Sequence, residues 1–152
     1  FNKTRPRDTN IQLGISHTKS ELMYFMFDQP AVNTFSEKEK DKNIELGFQL
    51  INSIKVNVET PEYILNKFAN NQKPDILSID VEGFDLKILK SINFSRYKPR
   101  LICVETVEHT LSGNGQKDDQ LVDFLIGKDY VHYADSYFNS IFVDKEFWNF
   151  NR

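Results

Sequence analysis

Two short, almost wholly apolar runs, each followed by a segment with helical spacing, constrain the fold of this chain most strongly. The runs are residues 76–79 and 101–104. Neither shows the clear alternation of polar and apolar residues that a half-buried strand has. Strands of this kind lie in parallel sheets that are covered on both faces. We therefore predict that the two runs form adjacent, central, parallel strands.

The segments around these runs complete a pattern of alternating strands and helices. Residues 84–92 follow the first run with apolar side chains at helical spacing. Residues 118–130 follow the second run, with Gly127 where a helix commonly ends. Residues 130–135 and 139–145 are predicted to pair as an antiparallel hairpin. The predicted fold is α/β, an open and mostly parallel sheet with an antiparallel edge hairpin.

The first half of the chain contains weaker signals. Residues 10–16 alternate in the manner of a strand, and residues 20–27 form a second strand candidate rich in aromatic residues. Thr60 and Pro61 predict the start of a helix, because Thr is a preferred N-cap and Pro a preferred first helical residue. Residues 28–47 are polar and lose periodicity, so we predict a solvated loop there.

The composition indicates a single globular domain over residues 1–152. A chain of 152 residues with 39% hydrophobic residues is long enough to bury a proper core. Its formal net charge of −3 creates no field that would attract nucleic acid. No apolar run approaches the length of a membrane span, and the lone Cys103 lies in an apolar run that favours core packing. We expect a cytoplasmic protein with neither nucleic-acid nor membrane partners.

Acidic residues follow both apolar runs, at the end of the strands where α/β sheets bind their ligands. Asp80 and Glu82 would project to the same side if the strand continues, and Gly83 permits a tight turn into the helix. Glu105 ends the second run, and His109 follows it closely. Such a group of carboxylates and an imidazole can bind a divalent cation, or can act as a general base on a hydroxyl.

Structural explanations of the same residues are open alternatives. Asp80 could accept backbone N–H bonds at a neighbouring helix start, and Glu82 could favour the N-terminus of its own helix. His109 could be a solvated loop residue. Asn139, between the two final strands, could contact a ligand or could occupy a turn. The residue types alone do not decide between these roles.

The acidic motif and its surroundings resemble the central signature of the FkbM-type S-adenosylmethionine-dependent methyltransferases. The resemblance rests on an apolar strand ending in Asp-x-Glu-Gly at residues 80–83, a following helix, and a second apolar strand ending in Glu105. Residues 5–16, 21–27 and 130–145 also resemble members of that family. The resemblance therefore spans nearly the whole chain.

The resemblance implies a class I methyltransferase fold, which is a Rossmann-like open sheet with a reversed last strand. It also implies transfer of a methyl group from S-adenosylmethionine to an oxygen of a sugar or another small molecule. Such a transfer needs an acceptor held in line and a base that removes its proton. Asp80 and Glu82 suit that base, and Glu105 suits orientation of the acceptor.

The remaining site residues are assigned to the substrate and to the cofactor. Gly83, His109 and Asn139 are the expected contacts to the substrate. Ser16, on the loop after the first predicted strand, is the expected contact to the cofactor. In this family a Gly-rich turn after the first strand and an acid ending the second hold most of the cofactor, and we find neither motif in the sequence. We expect the first two strands of the fold to be absent and cofactor binding by these residues to be weak.

Two other functions compete with a methyltransferase. The chain could be a non-catalytic, methyltransferase-like module that binds a partner or a substrate. It could also be a metal-dependent enzyme that uses the acidic residues, although the sequence lacks a His-rich set of ligands. If the first two strands are absent, an uncovered sheet edge promotes pairing with another chain. We therefore expect self-association, as a homodimer.

Overall fold

The structure is a computed structural model that describes residues 3–81, 83–107 and 115–150 of the chain. It contains two compact units. The first unit comprises Phe1–Asn71 and Glu82–Ser91, and the second comprises Gln72–Val81 and Ile92–Arg152. Each unit has its own small β-sheet and its own helices.

The sheet of the first unit is three-stranded and mixed. Its strands are β1 (Gly14–Ile15), β2 (Ser20–Phe27) and β3 (Leu50–Glu59). β3 lies in the centre, parallel to β1 and antiparallel to β2. Phe25 and Phe27 are buried on β2, which explains why that segment carries so many aromatic residues.

Residues 28–47 are not the solvated loop that their polar composition predicted. They contain a 3-10 helix, Pro30–Val32, and helix α1, Glu37–Glu45. The Ser36 hydroxyl caps α1 by accepting a hydrogen bond from the backbone N–H of Glu39 at 3.3 Å. Ser followed three residues later by Glu is a capping-box sequence. The prediction was wrong because it weighed the density of charge above this local signal.

The other helices of the first unit begin close to where the sequence predicted. Helix α2 (Pro61–Phe68) is capped by Thr60, whose Oγ1 accepts from the backbone N–H of Tyr63 at 3.2 Å. Helix α3 (Asp85–Ser91) buries Leu89 completely. Both results follow from capping and spacing rules that act within a few residues.

The sheet of the second unit is four-stranded. Its strands are β4 (Ile76–Ile79), β5 (Leu101–Glu105), β6 (Tyr130–Ser136) and β7 (Asn139–Asp144). The spatial order is β4-β5-β7-β6, with β4 parallel to β5 and with β7 antiparallel to both of its neighbours. The predicted pairing of the two apolar runs and the predicted hairpin are therefore confirmed. A one-residue bulge interrupts the β6–β7 pairing between His132 and Ala134.

One face of the second sheet carries the core of that unit. Ile102 and Val104 are 0% exposed and alternate with partly exposed residues along β5, and they share the core with Phe142 of β7, which is also 0% exposed. Leu121 and Leu125 of helix α5 (Asp119–Ile126) are also buried. This alternation is typical of strands with one covered face.

The remaining helices of the second unit are α4 (Phe94–Tyr97) and α6 (Lys145–Phe150). All helices in the described ranges are short, and α1, with 9 residues, is the longest of them. None of these helices has the length and apolar character that crossing a bilayer would demand.

Strand β4 is not the central, doubly covered strand that its sequence predicted. Among the described strands it pairs with β5 alone. Ile76 is 63% exposed, Ser78 is exposed, and Ile79 is the one buried residue of the strand. The prediction was wrong because a run of four residues is too short to separate continuous burial from alternation.

The α/β class is confirmed, but a mostly parallel single sheet is not. Two of the five strand pairs in the described ranges are parallel, and they belong to two small mixed sheets. The difference comes from the antiparallel pairs β2–β3, β5–β7 and β6–β7. β6 and β7 are joined by a two-residue turn, a connection that antiparallel strands allow and parallel strands do not.

The exposed strand β4 gives the predicted self-association a specific location. Edge strands and exposed apolar side chains promote pairing between chains. We expect a homodimer in sedimentation velocity, and we expect Ile76→Lys to shift it to the monomer because a charge on the edge opposes pairing. Ile126→Lys, at an exposed isoleucine of α5, is the matched control and should change nothing. A monomer at every concentration would contradict this prediction.

Candidate active site

The carboxyl ends of β4 and β5 meet at one edge of the second sheet. Ile79 and Val104 are partners in the parallel register at this end. Asp80 directly follows β4 and Glu105 is the last residue of β5, so the two residues lie at the same end of neighbouring strands. The structure thus brings together two of the carboxylates that the sequence analysis selected.

Strand β7 brings an amide to the same edge. Asn139, its first residue, is the register partner of Glu105 on β5 and of Ser136 at the end of β6. Residues directly opposite each other in such pairs share a face, with Cβ atoms about 4.5–5.5 Å apart. We call the group formed by Asp80, Glu105 and Asn139 the acidic edge.

The acidic edge is accessible to a ligand. Asp80 is exposed, and Glu105 and Asn139 are partly buried. Within the described ranges the Asp80 carboxylate makes no hydrogen bond or ion pair. The helix-capping role considered for Asp80 therefore has no partner in that part of the chain. An exposed carboxylate beside a half-buried one can accept a hydrogen bond or a proton from a bound hydroxyl.

Gly83 belongs to the first unit and has a φ of +90°. Glycine adopts this conformation without the steric cost that other residues meet. A Cβ at this position would lie 3.6 Å from Cγ of Glu39 on α1, which is an ordinary contact. Backbone conformation, rather than lack of space, therefore requires glycine here. Glu39 also forms an ion pair with Lys42 at 3.4 Å. The proximity of Glu39 to Gly83 was not predicted from the sequence, because the segment that contains Glu39 was predicted to be a loop.

Ser16, the expected cofactor contact, also lies in the first unit. It is 1% exposed, and its backbone N–H donates to the carbonyl of Glu59 at 3.0 Å. Its hydroxyl is 3.3 Å from Nδ1 of His17. These contacts tie Ser16 into the end of the β1–β3 pair. Its role toward a cofactor stays a prediction.

Two of the selected residues, Glu82 and His109, lie outside the described residues. Their contributions to the site stay predictions for that reason. In the ranges that the structure does describe, no three His, Cys, Asp or Glu side chains form a group that could hold a metal ion.

A polar network that the sequence analysis did not identify lies behind the acidic edge. The Asp135 carboxylate accepts hydrogen bonds from the Ser140 hydroxyl at 2.5 Å and from Nζ of Lys117 at 2.8 Å. It also forms a hydrogen bond with Nε2 of His132 at 2.8 Å. The Ser140 hydroxyl also lies 2.5 Å from Oγ1 of Thr106. Ser140 and Thr106 are 0% and 2% exposed, so their hydroxyls depend on these partners.

The bulge in β6 allows this network to form. In a regular strand, residues three apart lie on opposite faces. The extra residue at the bulge puts His132 opposite Phe142 and Asp135 opposite Ser140, which lie two apart on β7 and so share a face. The His132 ring stacks on Phe142 with centroids 5.0 Å apart. The spacing of His132 and Asp135 along the chain does not by itself predict that they share a face.

The network is not a nucleophilic triad, although it contains Ser, His and Asp. In such a triad the imidazole stands between the hydroxyl and the carboxylate, so that it can take the hydroxyl proton. Here Asp135 stands between Ser140 and His132. The arrangement holds a carboxylate in place and does not activate the hydroxyl.

The Lys117 ammonium, followed by the Ser140 hydroxyl, holds the pKa of the Asp135 carboxyl well below its usual range. A lowered folded-state pKa stabilises the fold above the unfolded pKa, near 3.9, and that stabilisation disappears as the pH falls below it. We expect the thermal midpoint of Asp135→Asn to lie below that of the wild type at neutral pH. The difference should shrink between about pH 4 and pH 2.

Asp123→Asn, at an exposed acid of α5, is the control for this acid titration, followed by circular dichroism. Its midpoint should run parallel to that of the wild type. A constant difference between wild type and Asp135→Asn across the acid range would contradict an ionic role for Asp135.

The chain was compared with known protein families. Residues 1–133 match the methyltransferase FkbM domain family. Asp80 and Glu105 lie inside the matched range, whereas Asn139 and the hairpin turn lie beyond it. A search of curated proteins and a search of solved structures gave no match.

Proposed function

Because the chain belongs to the FkbM methyltransferase family, we propose that it takes part in methyl transfer from S-adenosylmethionine to a hydroxyl of a sugar or another small metabolite in the cytoplasm. The observation that supports the acceptor site is the acidic edge. Asp80 follows β4, Glu105 ends β5 and Asn139 begins β7, all at one end of the second sheet. Ligands of open α/β sheets bind beyond the carboxyl ends of parallel strands.

The proposed chemistry assigns a separate task to each residue of the acidic edge. S-adenosylmethionine, when bound, supplies a methyl group on a sulfonium, which becomes a neutral thioether on transfer. The acceptor oxygen forms the new C–O bond and loses its proton. Asp80, exposed and without a partner in the described ranges, takes that proton as general base. Glu105 and Asn139 hold the hydroxyl in the orientation that in-line transfer requires.

Holding the cofactor is a different task, and the described residues support it poorly. Ser16 is the residue predicted for it, and its side chain is buried and bonded to His17. A ligand with a ribose and an amino-acid group needs several convergent polar groups. The described residues therefore support the acceptor side of the proposed reaction and not the binding of the methyl donor.

We expect these 152 residues alone to bind S-adenosylmethionine weakly or not at all. Isothermal titration calorimetry measures this directly, and Ser16→Ala identifies whether any observed heat depends on Ser16. Micromolar binding by the wild type that Ser16→Ala leaves unchanged would show that the cofactor is held by residues other than Ser16. It would also overturn the division between acceptor and donor sides.

The proposed function is tested with the natural protein at its full length. Tritium from methyl-labelled S-adenosylmethionine should appear in one member of a panel of methyl glycosides and small hydroxy acids. Release of S-adenosylhomocysteine in equal amount confirms a balanced transfer. Binding of a panel member without any transfer would instead identify a non-catalytic binding module.

A further inference from the structure

The buried hydroxyls of the polar network and the acidic edge are carried by adjacent residues. Thr106 directly follows Glu105, and Ser140 directly follows Asn139. Side chains of successive strand residues point to opposite faces. The side chain of Ser140, which is 0% exposed, therefore lies on the opposite face of the sheet from the partly exposed side chain of Asn139. Whatever fixes Ser140 also fixes the register position of Asn139.

The hydrogen bonds of this network have a defined direction. Lys117 keeps Asp135 ionised, and an ionised carboxylate only accepts hydrogen bonds. Ser140 therefore donates its one proton to Asp135, so the contact at 2.5 Å to Thr106 is a bond that Thr106 donates. The chain runs from the Thr106 hydroxyl through Ser140 to Asp135. Each buried hydroxyl depends on the next group for its partner.

Asp135 on β6 forms hydrogen bonds with Lys117, which precedes α5, and with Ser140 on β7, so its carboxylate connects three segments near the acidic edge. Lys117, which precedes α5, is bridged to Val107 just beyond β5 and is bonded to Asp135 on β6. The turn between β6 and β7 is held from the other side, because the carbonyl of Phe138 accepts from the backbone N–H groups of Thr106 and Val107 at 2.9 and 3.3 Å.

From this geometry we infer that Asp135 is a positioning residue, which acts through Ser140 and Thr106 to hold Asn139 in register beside Glu105. The inference rests on the proposed function, because it explains how the acceptor side of that site keeps its geometry. A strand register that slips by one residue sends every side chain to the other face. An ionised anchor behind the edge opposes such a slip at the hairpin that delivers Asn139.

The first test uses matched variants of Thr106 in the natural protein. Thr106→Val keeps the shape of the side chain and removes the hydroxyl, whereas Thr106→Ser keeps the hydroxyl. We expect Thr106→Val to lower kcat for transfer from S-adenosylmethionine by on the order of tenfold or more, with KM for S-adenosylmethionine unchanged, because misplaced reacting groups slow the chemical step. Thr106→Ser should restore most of kcat.

A second pair of variants separates positioning from general stability. Asp135→Asn and Asp144→Asn each break a Lys–Asp ion pair of the second unit, with Lys117 and with Lys98 respectively. Asp144 lies at the far end of β7 from Asn139. We expect only Asp135→Asn to lower kcat. Equal kcat values for these two variants, or for the two Thr106 variants, would overturn the inference.

Hydrogen exchange provides a test that does not need turnover. The amides of Thr106 and Val107 donate to Phe138 and should be protected in the wild type. We expect Thr106→Val to speed their exchange by on the order of tenfold, and Thr106→Ser to leave it near the wild-type rate. If no panel compound is methylated, the proposed function fails while this measurement still decides the inference. Unchanged exchange in Thr106→Val would overturn it.

Discussion

We expect Asp80→Asn to lower the rate of methyl transfer by about 10²-fold or more, the usual scale for loss of a positioned base. Asn keeps the size of the side chain but cannot take the acceptor proton. Folding should be almost unaffected, because Asp80 is exposed and makes no hydrogen bond or ion pair within the described ranges. Single-turnover measurement with labelled S-adenosylmethionine, together with the thermal midpoint, checks both parts.

The matched control for this variant is Asp75→Asn. Asp75 directly precedes β4, as Asp80 directly follows it, and it forms an exposed ion pair with Arg100 at 2.6 Å. Exposed ion pairs of this kind contribute little to stability, so Asp75→Asn should keep both rate and midpoint. Glu82→Gln should resemble Asp80→Asn if both carboxylates serve the acceptor. A lower midpoint with unchanged turnover in Asp80→Asn would make Asp80 a structural residue.

The largest effect on stability is expected from Phe142→Ala. Phe142 is 0% exposed at the centre of β7, between Ile102 of β5 and His132 of β6. Removing a buried phenyl ring loses its transfer free energy and leaves a cavity, which costs about 3–5 kcal/mol. It also removes the ring on which His132 stacks. Urea unfolding followed by circular dichroism gives the change in the free energy of unfolding.

Phe150→Ala is the control for this loss, because Phe150 on α6 is 89% exposed. Exposed substitutions away from special contacts usually change stability by no more than about 0.5 kcal/mol. A change of less than about 1 kcal/mol in Phe142→Ala would show that the second sheet can close the cavity by collapsing around it.

The parts of the fold that depend on neighbouring residues were predictable from the sequence. Thr60 caps α2 as predicted, because a cap is decided within four residues. The pairing of the two apolar runs was also predictable, since a strand–helix–strand unit in one sheet places its strands parallel. The hairpin of β6 and β7 followed from two strand patterns separated by a short turn.

The parts that were mispredicted depend on what covers a segment. Ile76 is exposed, and β4 pairs on one side only in the described ranges. The amino-acid types of this short run do not indicate which other elements pack against it. Helix α1 was missed although Ser36 and Glu39 have the spacing of a capping-box sequence, because the helix is polar and its apolar periodicity is weak.

The acidic edge was partly predictable, and the network behind it was not. Asp80 and Glu105 were selected because the carboxyl ends of strands in an α/β sheet gather at one side, and Asn139 was selected because it lies between the last two predicted strands. Thr106 and Ser140 are 34 positions apart, and they meet through the register of two antiparallel strands. The adjacent pairs Glu105-Thr106 and Asn139-Ser140, each a polar ligand type followed by a hydroxyl, were the one available signal.

The bulge in β6 means that this strand could lose one residue without losing its alignment with β7. The bulge lies between His132, paired with Phe142, and Ala134, paired with Ile141, so Tyr133 is the residue in excess. Deleting Tyr133 would convert the bulge into a regular strand and leave Asp135 opposite Ser140. Deleting one residue of the turn at 137–138 would instead strain or shift the pairing. A deletion at the bulge therefore keeps the alignment of this hairpin, whereas a deletion in the turn a few residues later does not.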